Sequence, residues 1–206
     1  MEKALEALVN QNSYTSNRAG GQQVVAALEK LLALPHLAAE RVSSERFADH
    51  LVFTSAGHGG RPVALLGHLD TVFPPGHFEG YRVDGALRRG PGVLDMKGGL
   101  VVIAWALKAI GHTVGLDHIS PLRIVLVSDE EVGSPEGAPL IARVAKDCVA
   151  ALVFESGRSN DAIVTRRKGT SACRCVATGK AAHAGNNYFD GANAIWSVAR
   201  FIDAAH

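Results

Sequence analysis

The sequence predicts an α/β fold built on a mostly parallel sheet flanked by helices. Two observations carry this. Residues 62–70 ("PVALLGHLD"), 122–131 ("LRIVLVSDEE") and 148–157 ("CVAALVFESG") are short, continuous apolar runs, the mark of strands buried on both faces. Helical patterns at 95–111 and 136–146 separate them, so the chain alternates strand, helix, strand, helix, strand. A third observation sets a boundary. From about residue 162 the texture changes to half-exposed alternation, and a second, α+β unit is expected over 166–206, with 1–165 forming the first.

The elements follow in order. Residues 1–10 and 19–33 carry apolar side chains at helical spacing, and Pro35 closes the second helix. Two strands are expected within 37–55, around "AAERVSS" and "HLVFTSA", before a Gly-rich turn, "GHGG". The strand at 62–70 leads into a long Pro/Gly/Arg loop, 73–92, and then a turn feeding a buried helix at 95–111. "AIVTRRKGTSACRCVATG" reads as an antiparallel hairpin pair, with Cys173 and Cys175 on one half-buried face, and residues 190–206 read as a helix.

Bulk composition narrows the function classes. The 206 residues are 47% hydrophobic and 20% charged with a formal net charge of +1, which gives no bias toward nucleic acid or membrane. No run reaches the ~18 apolar residues of a membrane span. The N-terminus has early acids and no apolar signal core, and three cysteines make no disulfide framework, so a reduced, cytoplasmic setting is expected.

Chemistry gathers at the strand tips. The first buried strand ends in His68-Leu69-Asp70, the second in Asp129-Glu130-Glu131 and the third at Glu155, while the loop into the helix carries Asp95. Ligands of open α/β sheets bind beyond the carboxyl ends of the strands. One imidazole among several carboxylates suits zinc or another first-row divalent ion. A metal-bound imidazole usually donates its other N–H to a carboxylate, and Asp70 is placed to serve His68 so. On its own, "SDEE" also admits a second, less favoured reading as a helix N-terminal acid cluster. "RGPGVLDMKGG" lacks the Ser/Thr of a phosphate loop and holds an acid in its centre, which argues against a nucleotide site. His50, His58, His77, His112 and His118 read as solvated positions at strand edges, loops and helix ends, and the terminal His206 as frayed.

Five ordered motifs, "GHLDTVFPPG", "RGPGVLDMKGGL", "SDEEVGS", "VFESG" and "GKAAHAGN", resemble the two-zinc exopeptidase family of glutamate carboxypeptidase, aminoacylase, acetylornithine deacetylase and succinyl-diaminopimelate desuccinylase. The third strand ends in Glu155, which is similar to the glutamate carboxypeptidase branch. The resemblance implies a zinc-exopeptidase-like sheet followed by the start of a lid or dimerisation domain, and two zinc ions, with cobalt or manganese admissible. It implies that His68 and Glu155 bind one ion, Glu131 the other, and Asp95 both, with a cis Asp95–Met96 bond. It gives Asp70 the role of orienting His68, Glu130 that of general acid/base, and His183 that of stabilising the oxyanion, from the partner subunit in dimers. The implied activity is hydrolysis of a peptide or N-acyl amino acid beside a free carboxylate. The family's second zinc takes a later histidine, so the chain is expected to correspond to the N-terminal part of such an enzyme.

Overall fold

The computed structural model describes residues 1–169 and 172–205. They divide into two compact units, residues 1–161 and 162–206.

In the first unit, helices α1 (Glu2–Val9) and α2 (Arg18–Leu31) precede strands β1 (Ala38–Val42), β2 (His50–Thr54) and β3 (Val63–His68). A hairpin, β4 (Arg82–Asp84) and β5 (Leu87–Arg89), leads to α3 (Lys97–Thr113), then β6 (Leu122–Val127), α4 (Gly137–Ala145) and β7 (Ala150–Val153). The sheet order is β1-β2-β6-β3-β7. β6, β3 and β7 are parallel, whereas β1 and β2 add an antiparallel edge. The sheet is therefore mixed: apolar content marks a strand but carries no information on its direction.

Period-two alternation sorts the strand side chains into two layers. Leu51, Phe53, Leu65, Leu122, Ile124 and Leu126 face one core with α1, α2 and α3, through Leu8, Val24, Leu28, Leu100, Ile103 and Leu107. Val52, Val125 and Val127 face the other, against Leu140 of α4. Asn17 caps α2 by accepting the Gly20 N–H at 3.2 Å.

Three expectations are corrected. The run 148–157 is not a buried strand: β7 is the last strand of the sheet, with Val149, Leu152 and Val153 62%, 50% and 59% exposed. The loop 73–92 contains the β4–β5 hairpin, whose short Arg-rich strands have little apolar alternation to reveal them. The hairpin pair expected over 162–179 is not formed among the described residues, Cys173 and Cys175 are exposed, and Thr170 and Ser171 lie outside those described. A lone pair of strands is marginal without a face to bury. The second unit holds a bridge between Lys180 and Ala192 and the helix α5 (Ala194–Ala205). No helix of the described residues is long and apolar enough to cross a membrane.

Candidate metal centre

Parallel strands deliver their carboxyl ends to one edge, and the site is built there. His68 is the last residue of β3, and Leu69 N donates to Val127 O at 2.8 Å, so the exits of β3 and β6 stay side by side. β6 leads through Ser128 and Asp129 into a 3-10 turn, Glu130–Val132. β7 leads to Glu155, and the turn just before α3 brings Asp95.

His68 is 1% exposed and is the hub. Its Nε2 lies 3.0 Å from Asp95 Oδ1, 3.4 Å from Glu155 Oε1 and 3.9 Å from Glu130 Oε2. Its Nδ1 lies 3.1 Å from the Asp70 carbonyl oxygen and 3.3 Å from Asp70 Oδ1. Asp70 is itself buried and accepts from the Thr15 hydroxyl at 2.7 Å, Glu130 N at 3.3 Å and Glu131 N at 3.2 Å. Ligand atoms of His68, Asp95 and Glu131 lie within 4.8 Å of one another, so these three can hold a metal ion.

The electrostatics explain the crowding. Burial disfavours the His68 imidazolium, but Asp70, Glu155 and Glu130 outweigh it and raise the ring to about 9. Burial raises the Glu131 carboxyl, His68 opposes this, and Asp95, Asp70 and Glu130 add to it, leaving it at about 7. Glu155 is raised by burial, against His68 and with Asp95 and Glu130. Burial would raise Asp70, but its hydrogen bonds to His68 and Thr15 hold it below its usual range. Every salt bridge made by Asp70, Asp95, Glu130 and Glu155 among the described residues goes to this one imidazole. A single imidazole cannot neutralise five acids, whereas divalent cations with nitrogen and oxygen donors can, so the donor set fits them.

The structure thus brings His68, Asp70, Asp95, Glu130, Glu131 and Glu155 together. The Asp95–Met96 peptide is cis. His183 lies in the second unit, exposed, with its Nδ1 accepting from Gly185 N at 3.1 Å and Asn186 N at 3.2 Å. His206 lies outside the described residues.

Neighbouring residues have structural work that the sequence did not reveal. Asp129 Oδ2 accepts from Glu136 N at 2.7 Å and Gly137 N at 2.9 Å, so it caps α4. His50 is a correction: it is 2% exposed, not solvated, and its Nδ1 accepts from Ser128 N at 3.2 Å. It pairs with Val42 of the edge strand β1, and Ser128, just past the end of β6, closes over it. Lys97 is fully buried, and its Nζ donates to Leu8 O at 3.0 Å and Gln11 O at 2.8 Å. Burial lowers it to about 7. The Gly98-Gly99 pair allows close approach: a Cβ on Gly98 would lie 2.4 Å from Val93 O, and one on Gly99 2.0 Å from Phe154 O.

The chain is similar to known proteins. The model of peptidase family M20/M25/M40 matches residues 64–168. Carboxypeptidase G2 of Pseudomonas sp. (strain RS-16) is 33% identical over 200 residues, covering 94% of this chain and 48% of its own. A probable succinyl-diaminopimelate desuccinylase of Staphylococcus epidermidis is 32% identical over 157 residues, covering 71% of this chain and 37% of its own. The chain spans about half the length of the first and less of the second. Among solved structures, aminopeptidase PepT from Bacillus cereus superposes with a TM-score of 0.72 at 18% identity, covering 98% of this chain and 55% of that one. The M20 family metallo-carboxypeptidase Sso-CP2 from Sulfolobus solfataricus gives 0.60 at 15%, covering 76% and 37%. These two share the fold.

Proposed function

This chain belongs to peptidase family M20/M25/M40, and on that premise we propose that it serves metal-dependent hydrolysis of an amide bond, carboxypeptidase-like, releasing an amino acid such as glutamate from a peptide or N-acyl amino acid. The observation that carries the reading is the buried His68 Nε2 faced by Asp95, Glu155 and Glu130 within 3.9 Å, with Glu131 beside them.

In this reading His68 and Glu155 would hold one ion, Glu131 a second, and Asp95 both, with zinc preferred over cobalt or manganese. When bound, such ions polarise the scissile carbonyl and lower the pKa of water. Glu130, whose side chain is about half exposed, takes the proton of the attacking water and returns it to the leaving amine nitrogen. Asp70 fixes the His68 ring and its tautomer. His183 donates to the oxyanion, from a second copy if the second unit is a lid that dimerises. The partner is then a small peptide or acyl amino acid, with no nucleic acid and no membrane, and the setting is cytoplasmic.

Similarity to desuccinylases favours a second substrate class, N-acyl amino acids cleaved by a deacylase. A further reading is a catalytically incomplete, metal-poor remnant of such a hydrolase. One set of assays separates them: zinc titration, then cleavage of C-terminal glutamate dipeptides and of N-succinyl and N-acetyl amino acids, each with a chelator control. The proposal expects chelator-sensitive cleavage and loss of zinc binding in Asp95→Ala. Unchanged metal binding in Asp95→Ala would overturn it.

A further inference from the structure

The segment after α1 lies against the site without supplying a ligand. Residues 12–15 run alongside residues 69–73. Ser13 Oγ donates to Leu69 O at 2.7 Å, Thr71 N to Ser13 O at 2.9 Å, Thr15 N to Thr71 O at 3.2 Å and Asn12 Nδ2 to Phe73 O at 3.1 Å. Lys97 ties the end of α1 and the start of this segment to the start of α3 through Leu8 O and Gln11 O. Residues 8–15 therefore form a strap across the two places from which His68 and Asp95 emerge.

The strap ends on Thr15, whose hydroxyl donates to Asp70 Oδ2; the two residues are 4% and 1% exposed. At 2.7 Å this is the shortest bond to that carboxylate. The other donors, Glu130 N, Glu131 N and the His68 ring, all belong to the ligand-bearing segments themselves. The terminal torsion of an aspartate is broad. Among the described residues, Thr15 is thus the one partner of the Asp70 carboxylate that holds its plane from outside the centre.

We propose that Thr15 is a positioning residue of the metal centre: its hydroxyl fixes the Asp70 carboxylate, and through it the angle at which His68 presents Nε2. This rests on the metal reading above. A bond that served stability alone would leave metal affinity untouched. Partners of a ligating histidine typically change affinity 10- to 100-fold when removed. Thr15 stands one bond further out, so the low end applies.

The test is zinc affinity of the 206-residue chain by chelator competition, for wild type, Thr15→Val, Thr15→Ser and Ser13→Ala. Thr15→Val is isosteric and lacks the hydroxyl, and is expected to bind zinc about tenfold more weakly. Thr15→Ser restores the affinity, and Ser13→Ala, which cuts a strap bond without touching Asp70, retains it. Long-range nitrogen spectra of the His68 ring report its tautomer and should shift in Thr15→Val and not in Ser13→Ala. If Thr15→Val does not fold, Thr15→Ala removes the same hydroxyl and leaves room for water. Equal affinity in wild type and Thr15→Val overturns the proposal, as does an equal loss in Thr15→Ser. A wild-type chain that binds no zinc would instead overturn the metal reading itself.

Discussion

Gly99→Ala sets two effects of opposite sign against each other. Within a helix, alanine is favoured over glycine by about 1 kcal/mol, so propensity alone predicts a more stable protein. Packing predicts the reverse. The new Cβ would lie 2.0 Å from the Phe154 carbonyl oxygen, where ordinary contact starts at 3.4 Å. Backbone on both sides leaves no flexible side chain to give way, so α3 and the exit of β7 must part by more than an ångström. Overpacking of this kind costs about 1–3 kcal/mol, and against backbone the upper end applies, for a net loss of about 1–2 kcal/mol after the gain in propensity. A domain of this size loses about 2–4 °C in Tm per kcal/mol, so a fall of roughly 2–8 °C is expected. The displaced exit carries Glu155, and metal–ligand distances tolerate only about 0.2 Å, so zinc affinity should fall at least about tenfold. Thermal denaturation of the metal-free chain and chelator competition measure the two. A Tm raised by about 2–4 °C with unchanged zinc affinity would refute the packing argument.

Lys97→Met takes the ammonium donor from the Leu8 and Gln11 carbonyls, of which Leu8 O keeps the Gln11 N–H at 3.3 Å, and should cost about 1–3 kcal/mol in urea unfolding; an unchanged midpoint would mean that water replaces the ammonium. Asp129→Ala removes the cap of α4 and should cost about 1–2 kcal/mol, while Asp129→Asn, which keeps an acceptor oxygen, should cost less. Zinc affinity should rise with pH. The free site holds His68 at about 9 and Glu131 at about 7, both must release protons to bind, and so the proton-bound form dominates on the acid side. The slope of log affinity against pH should be about one between pH 7 and 9 and approach about two below pH 7; a flat profile by chelator competition would refute the assignment of His68 as ligand.

What could be read from the chain alone depended on where each signal resides. Residues 62–70 and 122–131 were legible as strands because burial on both faces leaves an unbroken apolar run. The tips followed, since His68, Asp70, Glu130 and Glu131 sit at the ends of those runs. β7 carries the same kind of run yet lies at the sheet edge, because composition records what a segment can bury and not what covers it. His50 was read as surface, for its enclosure is made by Ser128, 78 residues away. Thr15 carries no signal for the same reason: "NSYTSN" reads as a polar connection, and its hydrogen bonds reach Leu69 and Asp70 across 56 and 55 residues.

The strand order also dictates when the site can come into being. β6 inserts between β2 and β3, so the acids after β6 meet His68 only once distant strands have paired. The bonds from Glu130 and Glu131 to Asp70 span 60 and 61 residues, and the one from Thr15 spans 55. Loop-closure entropy must be overcome before any of these contacts forms, which places them late on the folding path. A metal ion finds no nucleus to stabilise in the early chain. Zinc bound at this centre is therefore expected to slow unfolding and to leave the speed of folding nearly unchanged, which stopped-flow folding and unfolding with and without zinc would check.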